Sequence, residues 1–216
     1  MNNIKSFDVI IVGLGPVGAV LANLLGKLDL SVLVVERNEN IHPLPRAIHF
    51  DGEVMRIFQN AGLANSIQEI ARPSHKGMHF VGPKNETLLV RKGLVGVGEQ
   101  GWENNWYFFQ PHLEKVLRDG LRKYPKVAIK LKENLVEIIN TEKSVRIVTE
   151  NDTKEKRQFY DAKWLVGCDG ARSLVSKNIS SDMLDFGFNE RWLVVDLNIN
   201  EGSHRAAQLP DFTIQH

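Results

Sequence analysis

The polar and apolar positions along the chain fall into blocks whose period changes in a readable order. Phe7 to Val12 is an apolar run broken only by Asp8, and a run this short and continuous predicts a parallel strand buried on both faces. Ala19 to Leu28 then alternates small and apolar residues at helical spacing, which predicts a helix packed closely on a sheet through Ala19, Ala22 and Gly26. After Asp29-Leu30, the β-branched run Ser31 to Glu36 predicts a second strand ending in a carboxylate. Together these make one strand-helix-strand unit.

Further along, Pro43 and Pro45 mark a connection. Asp51 to Asn60 predicts a helix with Val54, Ile57 and Phe58 on one face and Gly62 just past its end, and Ala64 to Ala71 a second, short one. His79 to Val81 and Thr87 to Val90, joined by Gly82-Pro83-Lys84-Asn85, predict a hairpin. The four glycines between Lys92 and Gly101 predict a mobile loop, and Trp106 to Phe109 a buried strand. Pro111 to Lys123 carries Leu113, Val116, Leu117 and Leu121 at helical spacing. Four short segments at 127–131, 135–139, 145–148 and 158–160 predict an antiparallel meander, with further strands at Trp164 to Val166 and Arg191 to Ile199. Gly202 to His216 shows no clear element.

Composition narrows the classes of partner. The 216 residues carry a net charge of +1, so no summed field draws the chain to nucleic acid or to anionic lipid. The single cysteine, Cys168, closes no internal disulfide, and the first strand is far shorter than a signal or membrane segment. The expectation is a cytoplasmic protein without nucleic-acid or membrane partners.

The chemistry concentrates in two glycine turns. Gly13-Leu14-Gly15-Pro16-Val17-Gly18 follows the first strand, opens the helix, and precedes Glu36 at the end of the second strand. In that context Gly13 permits the turn, Gly15 lets the backbone approach a pyrophosphate, Gly18 lets the helix pack, and Glu36 accepts hydrogen bonds from both ribose hydroxyls of a dinucleotide. The second turn, Gly167-Cys168-Asp169-Gly170-Ala171-Arg172-Ser173, leaves a strand and is expected to enter a helix. Other candidates have plainer explanations. His75 and His79 lack a nearby third metal ligand, and His42 and His49 fit loop-surface positions better than a substrate role. The aromatics at 102 and 106–109 fit strand packing better than a pocket lining. Cys168 reads as a packing residue and Lys154 to Arg157 as a solvated turn.

Three motifs in order, namely the glycine turn with Glu36, the Arg46-Ala47 step after a proline, and Gly-Cys-Asp-Gly-Ala-Arg-Ser, resemble the FAD-dependent aromatic hydroxylases, or class A flavoprotein monooxygenases. Within that family the chain is most similar to the 3-(3-hydroxyphenyl)propionate hydroxylase-like enzymes, through Pro45-Arg46-Ala47-Ile48, Gln110-Pro111 and Trp192-Leu193-Val194-Val195-Asp196. The resemblance runs from Phe7 to about Ile199. It implies an α/β fold: a Rossmann-like FAD-binding domain (1–73 and 101–181), with a βαβ start and a small meander, interleaved with part of a β-rich substrate domain (74–100 and 182–216). It implies FAD as cofactor, NAD(P)H as co-substrate, and O2 and a small phenolic or aromatic ring as reactants, with oxygen transferred through a flavin C4a-hydroperoxide. Carried over by position, Glu36 holds the adenosine ribose, Arg46 and Gln110 contact the flavin nucleotide, and Asp169 with Gly170 serves FAD and NAD(P)H. Pro16, Val17 and Arg37 complete the cofactor-binding set, and Arg46 and Asp169 are the side chains assigned to catalysis.

The departures carry expectations of their own. Asp29 stands where the family usually has glycine, and Ser176 where it usually has arginine. No Gly-Asp dipeptide occurs, so the family's second flavin motif is missing along with the C-terminal part of its fold. A flavin site lacking one wall is expected to leak oxidant to water, and open sheet edges to favour self-association or a complementing chain. Two alternatives stay open: a non-catalytic FAD-binding remnant or subunit, and an NAD-dependent dehydrogenase built on the same fingerprint.

Overall fold

The computed structural model describes residues 4–75, 77–84, 86–151, 153, 156–179, 181, 183–191 and 213–215. The chain runs β1 (Lys5–Val12), α1 (Pro16–Lys27), β2 (Val32–Glu36), β3 (His49–Asp51), α2 (Gly52–Asn60), α3 (Ala64–Gln68), β4 (Ala71–Pro73), β5 (Met78–Val81), β6 (Thr87–Arg91), β7 (Asn105–Phe108) and α4 (Gln110–Gly120). It continues through β8 (Val127–Leu131), β9 (Glu133–Asn140), β10 (Val145–Asn151) and β11 (Arg157–Gly167) to β12 (Thr213–Gln215).

The expected opening unit forms, with α1 starting at Pro16, whose fixed φ and missing N–H suit the first helical turn. Asp29 turns the chain toward β2 at φ +61°, the left-handed geometry that its short polar side chain tolerates. β1 lies between β2 and β11, parallel to both, within a six-stranded sheet ordered β8-β2-β1-β11-β10-β9. Two three-stranded sheets, β12-β5-β6 and β3-β7-β4, stand apart from it. The α/β class with a parallel core and a meander is therefore what the sequence suggested.

Several elements differ from expectation. The segment 127–131 is not part of the meander: β8 pairs in parallel with β2 at the sheet edge. The segments 158–160 and 164–166 are one 11-residue strand, β11, whose first half pairs antiparallel with β10 while its length from Tyr160 onward pairs with β1. The helix expected over 64–71 ends at Gln68, and Ala71–Pro73 crosses to β7 as a strand. In α2, Met55 and Phe58 turn inward while Ile57 is exposed. No helix follows Gly167 directly; a turn leads to one 3-10 turn at Ser176–Asn178. The tail expected to lack structure contributes β12, parallel to β5. Positions 192–199 of the strand expected at 191–199, and positions 154–155 of the turn expected at 154–157, lie outside the described residues, while Arg157 already belongs to β11.

The two faces of the parallel core bury different partners. Val9, Ile11, Val32 and Val34 meet Ala19 and Ala22 of α1, Met55 and Phe58 of α2, and Leu113 and Leu117 of α4. Ile10, Val12, Leu33 and Val35 meet Leu135, Ile147, Tyr160 and Ala162 of the meander. A strand covered on both sides explains why β1 and β2 read as unbroken apolar runs rather than as alternation. Gly26 serves a different neighbour from the one expected: a Cβ there would press into the Tyr124 ring at 2.7 Å. The aromatics of β7 do pack: Trp106 stacks on Phe50 at 6.1 Å, and Phe108 lies 5.2 Å from the same ring.

Because Ile11 is wholly buried at the centre of the sheet, Ile11→Ala should cost about 2–5 kcal/mol, read as a lowered urea midpoint. Val17→Ala, at a 70% exposed position, should stay within about 0.5 kcal/mol of the parent.

Candidate functional site

The carboxyl ends of β1, β2 and β11 open onto one cleft of about 220 Å³. Its floor is the first glycine turn. Gly13 stands at φ +102°, and a Cβ on it would overlap the Cys168 carbonyl. The Gly13 N–H donates to the Val35 carbonyl at 2.8 Å and the Cys168 N–H to the Val12 carbonyl at 2.7 Å, so the two turns are stitched to both neighbouring strands. Gly18 is just as tightly held, since a Cβ there would overlap the Gly13 carbonyl. Gly15 is the opposite case: within 4 Å of its absent Cβ there is nothing.

That open space lies against the start of α1. Gly15 is the N-cap, no side chain caps the helix, and the first turn holds no acid. The first amides and the positive end of the helix dipole are therefore uncompensated, an arrangement that suits a phosphate.

Glu36 ends β2 at the side of the cleft, nearly buried. One carboxylate oxygen accepts the Leu14 N–H at 2.8 Å; the other accepts the Asn38 N–H at 2.8 Å and the Asn38 side-chain amide at 2.9 Å. Three of its roughly four acceptor positions are thus taken. About one position is left open.

The opposite wall is set by α4. Gln110 Oε1 accepts the N–H groups of both Arg46 and Ala47, at 2.7 and 2.9 Å. Its Nε2 donates to Glu114 Oε1 at 2.9 Å, Glu114 lies 3.6 Å from the Arg118 guanidinium, and Arg118 donates to the Leu14 carbonyl at 3.0 Å. A polar relay thus runs from the 46–47 loop to the glycine turn and, through Leu14, to Glu36. At the third side, Asp169 Oδ2 accepts the Leu174 N–H at 2.7 Å, tying down the second turn, while its Oδ1 is buried without a partner. Burial, and then the Asp169 carboxylate beside it, pushes the Cys168 thiol above its usual range, which suits the packing role expected of it.

Gly13, Gly15, Pro16, Glu36, Arg37, Arg46, Gln110, Asp169 and Gly170 all line this cleft. Val17 points to solvent and Gly18 is buried behind the turn. Sequence reasoning missed Glu114 and Arg118, although Gln110, Glu114 and Arg118 recur at every fourth position of α4 as a polar stripe. It also missed Glu133, whose carboxylate is held by Tyr160 OH at 3.0 Å and Thr149 Oγ1 at 2.6 Å; nothing local in the sequence signals it. Among the remaining histidines, His75 lies 3.6 Å from Glu103.

The open Gly15, the uncapped helix start, the partly free Glu36 carboxylate and the unpartnered Asp169 oxygen fit a phosphate-bridged dinucleotide. Fold and cleft define a dinucleotide-binding α/β protein. The chain belongs to the FAD binding domain family, whose model matches residues 6–213. It is 35% identical over 196 residues to a probable NADH-specific resorcinol 4-hydroxylase of Rhodococcus jostii, covering 91% of this chain and 37% of the relative. It is 31% identical over 192 residues to a 3-(3-hydroxy-phenyl)propionate/3-hydroxycinnamic acid hydroxylase of Escherichia coli, covering 89% and 34%. The chain therefore spans about a third of the length of these relatives. Among solved structures, p-nitrophenol 4-monooxygenase PnpA from Pseudomonas putida superposes with a TM-score of 0.72 at 26% identity, over 80% of this chain and 43% of that one. The flavin-dependent monooxygenase PieE, at 21% identity and a TM-score of 0.68 over 80% and 31% of the two chains, shares the fold.

Two outcomes follow from the geometry. Gln110→Ala removes the shared acceptor of the Arg46 and Ala47 amides, and trypsin should then cut after Arg46 roughly tenfold faster, followed by mass spectrometry. Because its pKa is raised, Cys168 holds less thiolate than a free thiol at any given pH; iodoacetamide should label it slowly at pH 8 and faster only as pH climbs above its ordinary value of 9.0.

Proposed function

We propose that the cleft holds FAD and that the protein is an NAD(P)H-dependent monooxygenase that hydroxylates a small phenolic ring with O2. The observation that carries this reading is the convergence of the Gly15 opening, Glu36, the Arg46-Gln110 pair and the Asp169-Gly170 turn on one cleft, together with membership of the FAD binding domain family. The names of the relatives, hydroxylases and monooxygenases of phenolic compounds, support the substrate class.

In this reading the N–H groups at the start of α1 bind the pyrophosphate at Gly15, and Glu36 orients one adenosine ribose hydroxyl. Gln110 holds the Arg46-Ala47 backbone in place so that Arg46 meets the flavin nucleotide, and Gly170 gives the cofactor close access to main chain. Asp169 keeps that second turn in shape, with its free oxygen available to a hydroxyl donor. Bound FAD would supply the redox chemistry, with NAD(P)H and a proton as the reducing side and O2 as the oxidant. The protein's part is to position the ring and keep water out.

The division into a cofactor part (1–73 and 101–181) and a substrate part (74–100 and 182–216) belongs to the same proposal, supported by the separate β12-β5-β6 sheet. So does pairing of the exposed edge strand β6 with a second copy or a further chain. A dehydrogenase reading has less support, because the sheet turns antiparallel after β11 instead of continuing in βα units.

An absorption spectrum and a fluorescence titration test the reading. FAD should bind saturably while NAD+ leaves the signal unchanged. Gly15→Val, which fills the open space, should weaken FAD by roughly a hundredfold, and Glu36→Ala, which also frees the Leu14 amide, by about tenfold. A folded chain that binds NAD+ and ignores FAD would sink it.

A further inference from the structure

The polar stripe of α4 has a centre that only a carboxylate satisfies. Gln110 Oε1 accepts the amides of Arg46 and Ala47, and its Nε2 donates to one oxygen of Glu114 at 2.9 Å. The other oxygen of Glu114 faces the Arg118 guanidinium at 3.6 Å. Gln110 and Glu114 are both buried, so a donor left without an acceptor there is costly. Two donors, one turn before and one turn after, converge on position 114, and a carboxylate, which only accepts, answers both. An amide has a single oxygen and would turn its NH2 toward one of the donors. Glu114 also settles how Gln110 lies: with Nε2 drawn to the carboxylate, Oε1 is left to face the 46–47 amides.

The other end of the relay acts on one peptide plane. Arg118 donates to the Leu14 carbonyl at 3.0 Å, and that carbonyl shares its peptide with the Gly15 N–H. The described peptide bonds are all trans, so the two groups point in opposite directions. Holding the carbonyl toward Arg118 therefore aims the Gly15 N–H away from it, at the uncapped start of α1. Asn23 keeps the base of the relay from sliding: wholly buried, its Nδ2 donates to the Ala19 carbonyl of its own helix and to the Leu117 carbonyl of α4, each at 2.8 Å. With α1 and α4 locked together, the relay transmits by the strength of its hydrogen bonds and not by helix motion. An anion that accepts the Gly15 N–H polarises this peptide and makes the Leu14 carbonyl a stronger acceptor, which holds Arg118, and then Glu114 and Gln110, more firmly.

We propose that Glu114 is a positioning residue that couples the two ends of the cleft, so that a pyrophosphate at Gly15 tightens the Arg46-Ala47 backbone on the opposite wall. This rests on the reading of the cleft as an FAD site. ADP, which carries the adenosine and pyrophosphate without the flavin, is the probe; equilibrium dialysis measures its binding and hydrogen exchange follows the Arg46 and Ala47 amides. At saturating ADP these amides of the parent should exchange about tenfold more slowly than without it. In Glu114→Gln, which keeps the volume but not both acceptors, saturating ADP should slow them by less than about twofold. The double variant Gln110→Glu with Glu114→Gln exchanges the two side chains and restores each donor-acceptor pair of the relay, so the protection should return; a residue that only stabilises α4 gives no such rescue. Protection that is absent in the parent while ADP binds, that survives in Glu114→Gln, or that the exchanged pair does not recover would overturn the coupling. Failure of ADP to bind would remove the dinucleotide reading and the coupling with it. A protein that shows the ADP effect but does not take up FAD in a separate titration would keep the coupling and remove the flavin reading alone.

Discussion

Where β1 and β11 end, two main chains touch with no side chain between them, and the cofactor cleft depends on that contact. A Cβ on Gly13 would overlap the Cys168 carbonyl and one on Gly18 would overlap Gly13 itself, so the first turn, the start of α1 and the second turn form one packed unit. The parallel register Val12 opposite Gly167 brings them together. From that unit the relay Leu14, Arg118, Glu114, Gln110 fixes the far wall, and the Leu14 amide fixes Glu36. Each wall of the cleft is thus tied by hydrogen bonds back to the same turn, the kind of support that holds a binding geometry to small tolerances.

The opening unit was legible because local chemistry dictates it: two apolar runs of strand length, glycines at fixed offsets, and a carboxylate where the second strand stops. What could not be read was pairing over distance. β8 has the same composition as a meander strand, and nothing within Val127–Leu131 says that its partner is β2. β11 looked like two strands because Asp161 and Lys163 interrupt its apolar pattern, yet each is neutralised from the neighbouring strand, Asp161 by Arg146 at 2.6 Å and Lys163 by Asp8 at 2.7 Å. β3 and β4 have three residues each and exist because β7 pairs with both. In the site, residues on the glycine turns were readable from motif context, whereas Arg118 and Glu133 reach the cleft only through tertiary packing.

The cofactor cleft sits at the carboxyl ends of parallel strands, where an open α/β sheet presents helix starts and main-chain amides to a ligand. The β3-β7-β4 sheet is antiparallel and presents one face of alternating side chains while leaving the other to the core. The Arg46–Ile48 stretch runs between that cleft and this sheet, held by Gln110 at the Arg46 and Ala47 amides and by the Phe108 N–H at the Ile48 carbonyl.

The pairing of β1 with β11 also sets a schedule for the newborn chain. Asp8 and Lys163, neighbours across that pair, are 155 positions apart. At ribosomal rates of about 5–20 residues per second, β1 waits roughly 10–30 s for its partner strand to be made. Throughout that interval the apolar segment Val9–Val12 can pair on one side only, with β2, and the glycine turn has no second turn to rest against. The cleft therefore comes into being only when β11 slides into place, and until then the β11-facing edge of β1 is unpaired.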